Sequence, residues 1–345
     1  MVFRSKETQS GRVLSHARLV QPSGADEPGE MLRHQPHHRF VICADTQLGM
    51  TAINKNWDVE VEYSRQAIRK INLMEPRPLF CCVCGDLVDI DESISPRYGF
   101  TVEECGRIKD EQNKAFIKTW ADLNDEIPLV CMCGNHDVGN RPNKVSIERF
   151  TKSFGDDYLA FWVNGTYNIV LNTNIFFDPK DTEDLFQEQL EWLQQRLQYA
   201  RDKQASCIFV FGHHPWFLYD EEEDKDDMKG LSEFPPEFPE ELRGGAKGVP
   251  DWYFPIPKKY RKQALSLFKE YGVAAAFAGH FHQNMVSKAS WGMDMITTSA
   301  LSGVFETSAR PKDFNEPTTQ GFRVVDVETN DAGSVTFRHR FEPLI

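Results

Sequence analysis

No stretch of the 345-residue sequence comes near the ~20 consecutive apolar residues that cross a bilayer, so no membrane span is expected. Positive charge is also scarce. Lys and Arg number 39 against 52 Asp and Glu, and the net charge of −13 disfavours non-specific attachment to nucleic acid. Met1 to Ser10 has no apolar signal-peptide core, which makes a cytoplasmic location the expectation. Cys82-Val-Cys84 and Cys131-Met-Cys133 lack the two-residue gap of a thiolate zinc knuckle. Alternate residues on one strand cannot readily bridge, so the cysteines read as small buried hydrophobes in a reducing compartment rather than as disulfides. There is no internal repeat.

One local pattern is abundant. Five times a short apolar run ends in a group able to bind a metal: Phe40 to Asp45, Leu79 to Asp86, Leu129 to Asp137, Cys207 to His213 and Val273 to His280. Leu129-Val-Cys-Met-Cys-Gly-Asn-His-Asp137 is the fullest case: a buried strand brings an amide, an imidazole and a carboxylate to one sheet edge. Glycines before the ligands let the chain turn sharply off the strand.

Residues 1 to about 38 are polar and aperiodic and read as a mostly disordered tail, with His34, His37 and His38 as solvated histidines in preference to a metal site. Beyond them, apolar positions at helical spacing (Val61 to Ile71, Ile108 to Leu123) separate the first three strands in a βαβαβ order, the mark of a parallel sheet with covering helices. Asn164-Gly165 between apolar runs predicts a hairpin. Phe186 to Ala200 and Tyr260 to Tyr271 predict two further helices, the second stopped by Gly272. The chain ends in strand-like segments, Met293 to Ser299, Phe322 to Val327 and Val335 to Phe341, with a turn at Asn330 to Gly333. An acidic and proline-rich insertion at about 220–256 opens with seven acids in Asp220 to Asp227; a solvated loop is the preferred reading and a lid at a cleft mouth the alternative. Two packed sheets flanked by helices follow from this order.

The strand-end groups are Asp45-Thr-Gln47, Gly85-Asp86-Leu-Val-Asp89, Gly134-Asn-His-Asp137, Gly212-His213-His214 and Gly279-His-Phe-His282. Oxygen ligands mixed with imidazoles suit divalent ions such as Mn, Fe or Zn. Two such ions bridged by a carboxylate can hold a hydroxide that is nucleophilic near neutral pH. Strand alternation would send His280 and His282 to opposite faces unless the strand ends at Gly279.

In this order the motifs resemble the calcineurin-like metallophosphoesterase superfamily over residues 39 to 345. Ala44-Asp-Thr-Gln-Leu-Gly49, Gly85-Asp-Leu-Val88, Ile127-Pro-Leu-Val130, Gly134-Asn-His-Asp-Val-Gly-Asn140 and Phe154-Gly-Asp-Asp-Tyr158 are similar to its group of cytosolic serine/threonine protein phosphatases. The resemblance implies a four-layer αββα sandwich with two divalent ions at the strand ends. It implies Asp45, Gln47, Asp86 and His282 as ligands of the first ion. Asp86 then bridges to the second, completed by Asn135, His213 and His280. His136 is implied to meet the phosphoryl group or protonate the leaving oxygen, with Asp137 orienting it. His214 is read as a packing residue or a support for its neighbours, and Asp89 and Asp91 as supporting carboxylates or solvated loop acids. Gln47 departs from the superfamily's usual histidine, and an amide is a weaker ligand, so the first ion is expected to bind loosely or to be a harder one such as Mn or Mg.

The expected activity is therefore a metal-dependent phosphomonoesterase acting on phosphoserine or phosphothreonine in a protein or peptide, by a monomer, without nucleic acid or membrane. The alternatives are a phosphodiesterase on nucleotides or other small diesters, and a non-catalytic scaffold whose Gln47 site no longer works. Arg141 is either a phosphate-binding residue or a surface arginine in a turn.

Overall fold

The computed structural model describes residues 36–91, 99–224, 251–304, 316–317, 319–330 and 335–345. Most of the N-terminal tail, residues 225–250 of the insertion and the turn after Asn330 lie outside them.

Two mixed sheets form the interior. The first has the order β11-β10-β1-β2-β3. Its parallel centre is β1 (His37–Cys43), β2 (Cys81–Cys84) and β3 (Leu129–Met132), and the hairpin β10 (Gly321–Thr329) and β11 (Val335–Pro343) adds antiparallel to the free side of β1. The second has the order β4-β5-β6-β7-β9-β8, from β4 (Leu159–Val163), β5 (Thr166–Val170), β6 (Cys207–Phe211), β7 (Ala275–Ala278), β8 (Met285–Lys288) and β9 (Asp294–Thr297). The predicted hairpin is β4–β5, with Asn164 and Gly165 both at positive φ, the geometry such a two-residue turn requires.

Alternation along each strand divides the residues between two layers of core. Phe40, Ile42 and Ala44 face inward with Phe80, Phe161, Phe209, Phe211 and Phe277, an aromatic layer between the sheets. Phe40 alone meets four of these rings at centroid distances of 4.7 to 5.9 Å. Val41, Cys43, Val83 and Cys131 face outward with residues of α1 (Asp58–Asn72) and α2 (Val102–Trp120). Ile208, Val210 and Ala276 share that cluster with α6 (Glu183–Asp202) and α7 (Lys258–Tyr271), which cover the second sheet. Helix, sheet, sheet, helix is the four-layer sandwich. Gly272 caps α7 in the left-handed conformation, as its position predicted.

The strand–helix outline followed the apolar pattern, with four differences. The short strand β8 and the helix α4 (Lys144–Phe154) were not expected; α4 carries its apolar residues Ile147, Phe150 and Phe154 on one narrow stripe. Two single-turn helices, α3 (Asn135–Val138) and α5 (Thr173–Phe177), occupy the turns beside the strand ends. His37 and His38 belong to β1, not to the tail: His37 pairs with Asp326, and His38 is buried against Asn164 of the other sheet. At the described start of the insertion Asp220, Glu222 and Asp224 are exposed, but Glu223 is buried and its carboxylate accepts from the backbone N–H groups of Leu218, Tyr219 and Asp220.

All eight cysteines are free, and seven are buried. Burial pushes the Cys43, Cys82, Cys84, Cys131 and Cys133 thiols well above their ordinary value, so they stay protonated packing groups.

Candidate metal centre

The parallel strands β1, β2 and β3 of one sheet and β6 and β7 of the other end on the same side, and their following loops interlock. Asp45 N–H donates to the Gly85 carbonyl at 3.1 Å and Gln47 N–H to the Asp86 carbonyl at 2.8 Å. His280 N–H reaches the Asp45 carboxylate at 3.0 Å, joining the two sheets. The chain leaves β7 before Gly279, and His280 and His282 then both take positive φ, 65° and 54°. That backbone removes the strand alternation, so both imidazoles turn into the site. Gly134 and Gly279 are required for space: a Cβ on the first would overlap the Asp86 carboxylate, and on the second the Asp45 carboxylate.

Six of the seven expected ligands meet through direct contacts, and the seventh, Gln47, follows Asp45 by two residues in the chain. His213 Nε2 lies 2.9 Å from Asn135 Oδ1, 3.1 Å from His280 Nδ1 and 3.4 Å from Asp86 Oδ2. His282 Nε2 lies 3.5 Å from Asp45 Oδ1. Asp45, Asp86 and His282 offer ligand atoms within 4.8 Å of one another, and so do His213, His214 and His280. A carbonyl can only accept, so the carbonyl of Cys84 holds the proton on His213 Nδ1, and that of Gly303 holds it on His282 Nδ1. Both rings thereby present an Nε2 lone pair to the site, the orientation that metal ligation requires.

The donor set fits divalent ions. Gln47 Oε1, His214 Nε2 and His280 Nε2 are buried polar atoms without a hydrogen-bond partner, an arrangement buried groups rarely keep unless a ligand serves them. Burial pulls the His213 imidazole down most, yet the charges of Asp86 and Asp45 raise it to about 9. The cluster thus attracts positive charge, whether a proton or a metal ion. His280 is held well below its ordinary value by burial and by the charge of His213.

His136 lies partly open at the side of this cluster. Its N–H donates to Asp86 at 2.8 Å, and its ring Nδ1 donates to the Asp89 carbonyl at 2.7 Å, with Asp89 Oδ1 3.5 Å away. With Nδ1 so engaged, Nε2 is the ring nitrogen left for another partner. Burial lowers the proton affinity of this ring, but the charges of Asp86 and Asp89 outweigh it and raise it to about 9.

Asp137 does not orient His136. Its carboxylate accepts from the backbone N–H groups of Gly134 at 2.8 Å and Leu87 at 3.1 Å, which fastens the Gly-Asn-His-Asp turn to the end of β2. Burial and the charge of Asp86 push its carboxyl up to about 6. The supporting group for His136 is Asp89. Lys109, whose ammonium donates to the His136 carbonyl at 2.7 Å and the Ile90 carbonyl at 3.0 Å, escaped the sequence reading. A signal existed: Lys109, Gln112 and Asn113 fall on the same stripe of α2 as the buried Ile108, Phe116 and Trp120. Thr173 was also missed; its hydroxyl accepts the N–H groups of His213 and His214, each at 2.9 Å.

A cleft of about 500 Å³ adjoins the site at Asp137, walled by Arg141, Arg149, Phe177, Trp252 and Tyr253. Arg141 is half-exposed and paired with Asp178 at 3.0 Å, and the Tyr253 hydroxyl donates to Asn140 at 3.0 Å.

Two facing sheets ending on paired carboxylate–imidazole clusters define a metallophosphoesterase-type centre. The chain belongs to the calcineurin-like phosphoesterase family, whose description matches residues 38–284. It is 32% identical over 271 residues to the Danio rerio serine/threonine-protein phosphatase CPPED1, covering 76% of this chain and 75% of that one. It is 30% identical to the Homo sapiens protein of the same name, covering 76% and 74%. Among solved structures the fold is similar to a dimetal phosphatase from Danio rerio, with a TM-score of 0.54, 12% identity and coverage of 89% and 96%. It is also similar to a purple acid phosphatase from yellow lupin, with a TM-score of 0.55, 13% identity and coverage of 89% and 54%.

Proposed function

We propose that this protein is a phosphomonoesterase that hydrolyses phosphoserine or phosphothreonine in proteins. The observation that carries the reading is the meeting of Asp45, Asp86, Asn135, His213, His280 and His282, drawn from both sheets, beside the partly exposed His136. The substrate class rests on the serine/threonine-protein phosphatases to which the chain is similar.

Asp45, Gln47, Asp86 and His282 would hold one divalent ion, and Asp86, Asn135, His213 and His280 a second. When bound, such a pair lowers the pKa of a water and neutralises phosphoryl charge. The chain's own work is placement and proton supply. One water adds to phosphorus as the ester P–O bond breaks, and the leaving oxygen takes the proton from His136 Nε2, giving an alcohol and inorganic phosphate. Asp137 fixes the turn that carries Asn135 and His136. One chain supplies every residue named, so the reading needs only a monomer. The free thiols suit a cytoplasmic setting.

The test compares a phosphoserine peptide, 4-nitrophenyl phosphate and bis(4-nitrophenyl) phosphate after reconstitution with Mn or Zn. Monoesters should turn over faster; dominant diester cleavage favours a phosphodiesterase. Asp86→Asn should abolish binding of at least one ion. His136→Ala should retain metal and lose on the order of 10²-fold or more in kcat. Metal content and activity unchanged in both variants would refute the assignment.

A further inference from the structure

The loop that leaves the site at Gln47 returns to it at Asn54, where it meets α2 and Asp89. Asn54 Nδ2 donates to Asp89 Oδ2 at 2.6 Å, and Gln112 Nε2 donates to Asn54 Oδ1 at 2.7 Å. Gln112 Oε1 accepts the Ile90 N–H at 3.2 Å. The polarity of this chain is fixed at both ends. A backbone N–H can only donate, so Gln112 must turn its oxygen to Ile90 and its nitrogen to Asn54. Asn54 must then turn its own nitrogen to the carboxylate, which can only accept. Neither amide can flip without facing like against like. Both are buried, Asn54 at 3% exposure and Gln112 at 0%. Asn54 sits at φ 60°, a conformation asparagine tolerates better than most residues. A Cβ on Gly49 would overlap both amides, so the loop is shaped around the pair.

We propose that Asn54 and Gln112 are positioning residues that lock the Asp89 carboxylate, and through Asp89 the ring of His136, so that Nε2 is aimed at the leaving oxygen. The pair spans the distance between an α2 side chain and the catalytic turn using only side chains and one backbone N–H. It places the Asp89 carbonyl and carboxylate together on the His136 Nδ1 side. With either amide removed, Asp89 Oδ2 loses its donor or gains a mobile one, and the ring is free to turn. An ester with a poor leaving group suffers most from this, because it depends on protonation as the P–O bond breaks. The kinetic part rests on the function proposed above; the geometric part does not.

The experiment uses the full chain carrying Asn54→Gly, which keeps the left-handed backbone, or Gln112→Leu, which keeps the helix. Thermal unfolding confirms that each variant is folded. In ¹⁵N-histidine-labelled protein, the Nδ1–H resonance lost in His136→Gln is followed first. It should be shifted or broadened in both variants, and an unmoved resonance overturns the proposal. Turnover of 4-nitrophenyl phosphate should stay within about threefold of wild type, while that of a phosphoserine peptide falls about tenfold or more. An equal fall on both substrates overturns the proposal. If the wild type hydrolyses neither ester, the proposed function fails, and the resonance still decides whether the pair positions His136.

Discussion

Five of the expected ligands, Asp45, Gln47, Asp86, His280 and His282, have positive φ between 38° and 65°. Each such residue stores about 1–3 kcal/mol of backbone strain that the surrounding structure must hold in place. Identity was legible here, since a ligand type after an apolar run can be read directly. The conformation was not: the residues that turn both His280 and His282 inward are the interlocked loops of distant strands. The division of labour in Gly134-Asn-His-Asp137 was misread for a similar reason. Adjacency in sequence suggested that Asp137 serves His136, whereas Asp137 is taken up by the amides of Gly134 and Leu87, and Asp89 approaches from another loop. Gln47 offers the sharpest test at this scale. Its Oε1 is buried and unpartnered, and histidine tolerates the left-handed backbone comparatively well. Gln47→His should therefore raise retention of the first ion roughly tenfold, because imidazole is the stronger ligand for Zn or Fe. Metal counting after graded chelator dialysis checks this; unchanged retention means that Gln47 does not limit the site.

At the scale of elements, β1 shows how a strand can be tied across the sandwich. His38 Nδ1 accepts from Asn164 Nδ2 at 2.9 Å, in the turn between β4 and β5 of the other sheet. Burial, helped by the charge of His37, lowers His38 from its ordinary 6.5 to about 4. Protonation would also set an N–H against the Asn164 amide. The folded protein thus binds this proton less readily than the unfolded chain. The contribution to stability is complete above pH 6.5 and is lost as the pH falls towards 4, by at most about 3 kcal/mol. Urea unfolding at pH 7 and pH 4.5 should show that loss in wild type and a smaller one in His38→Leu. An identical loss in both would place the acid sensitivity elsewhere. Seen from the sequence, His38 ended a polar stretch, and only its pairing with Val327 and its distant partner Asn164 show it to be interior.

The whole molecule is a device for bringing two sets of strand ends together. The number of strands and the helices between them could be read from apolar period, but the partition into sheets could not, because β10 and β11 join β1 from the far end of the chain. What holds the sheets face to face is the aromatic layer, and Phe40 is central to it. Phe40→Ala should cost about 3–5 kcal/mol, since the cavity is walled by four rings, two from β6, one from β7 and one from the residue before β2, that cannot all collapse into it. The metal centre draws Asp45, Asp86 and Asn135 from one sheet and His213, His280 and His282 from the other, so ion binding and sheet packing stabilise the same state. An ion at 100 times its Kd adds about 2.7 kcal/mol to stability. Adding Mn or Zn to chelated protein should therefore raise a single unfolding midpoint, and should recover part of the loss caused by Phe40→Ala. A metal-dependent shift in only one of two separate transitions would mean that the centre belongs to one sheet, contrary to the contacts between His280 and Asp45.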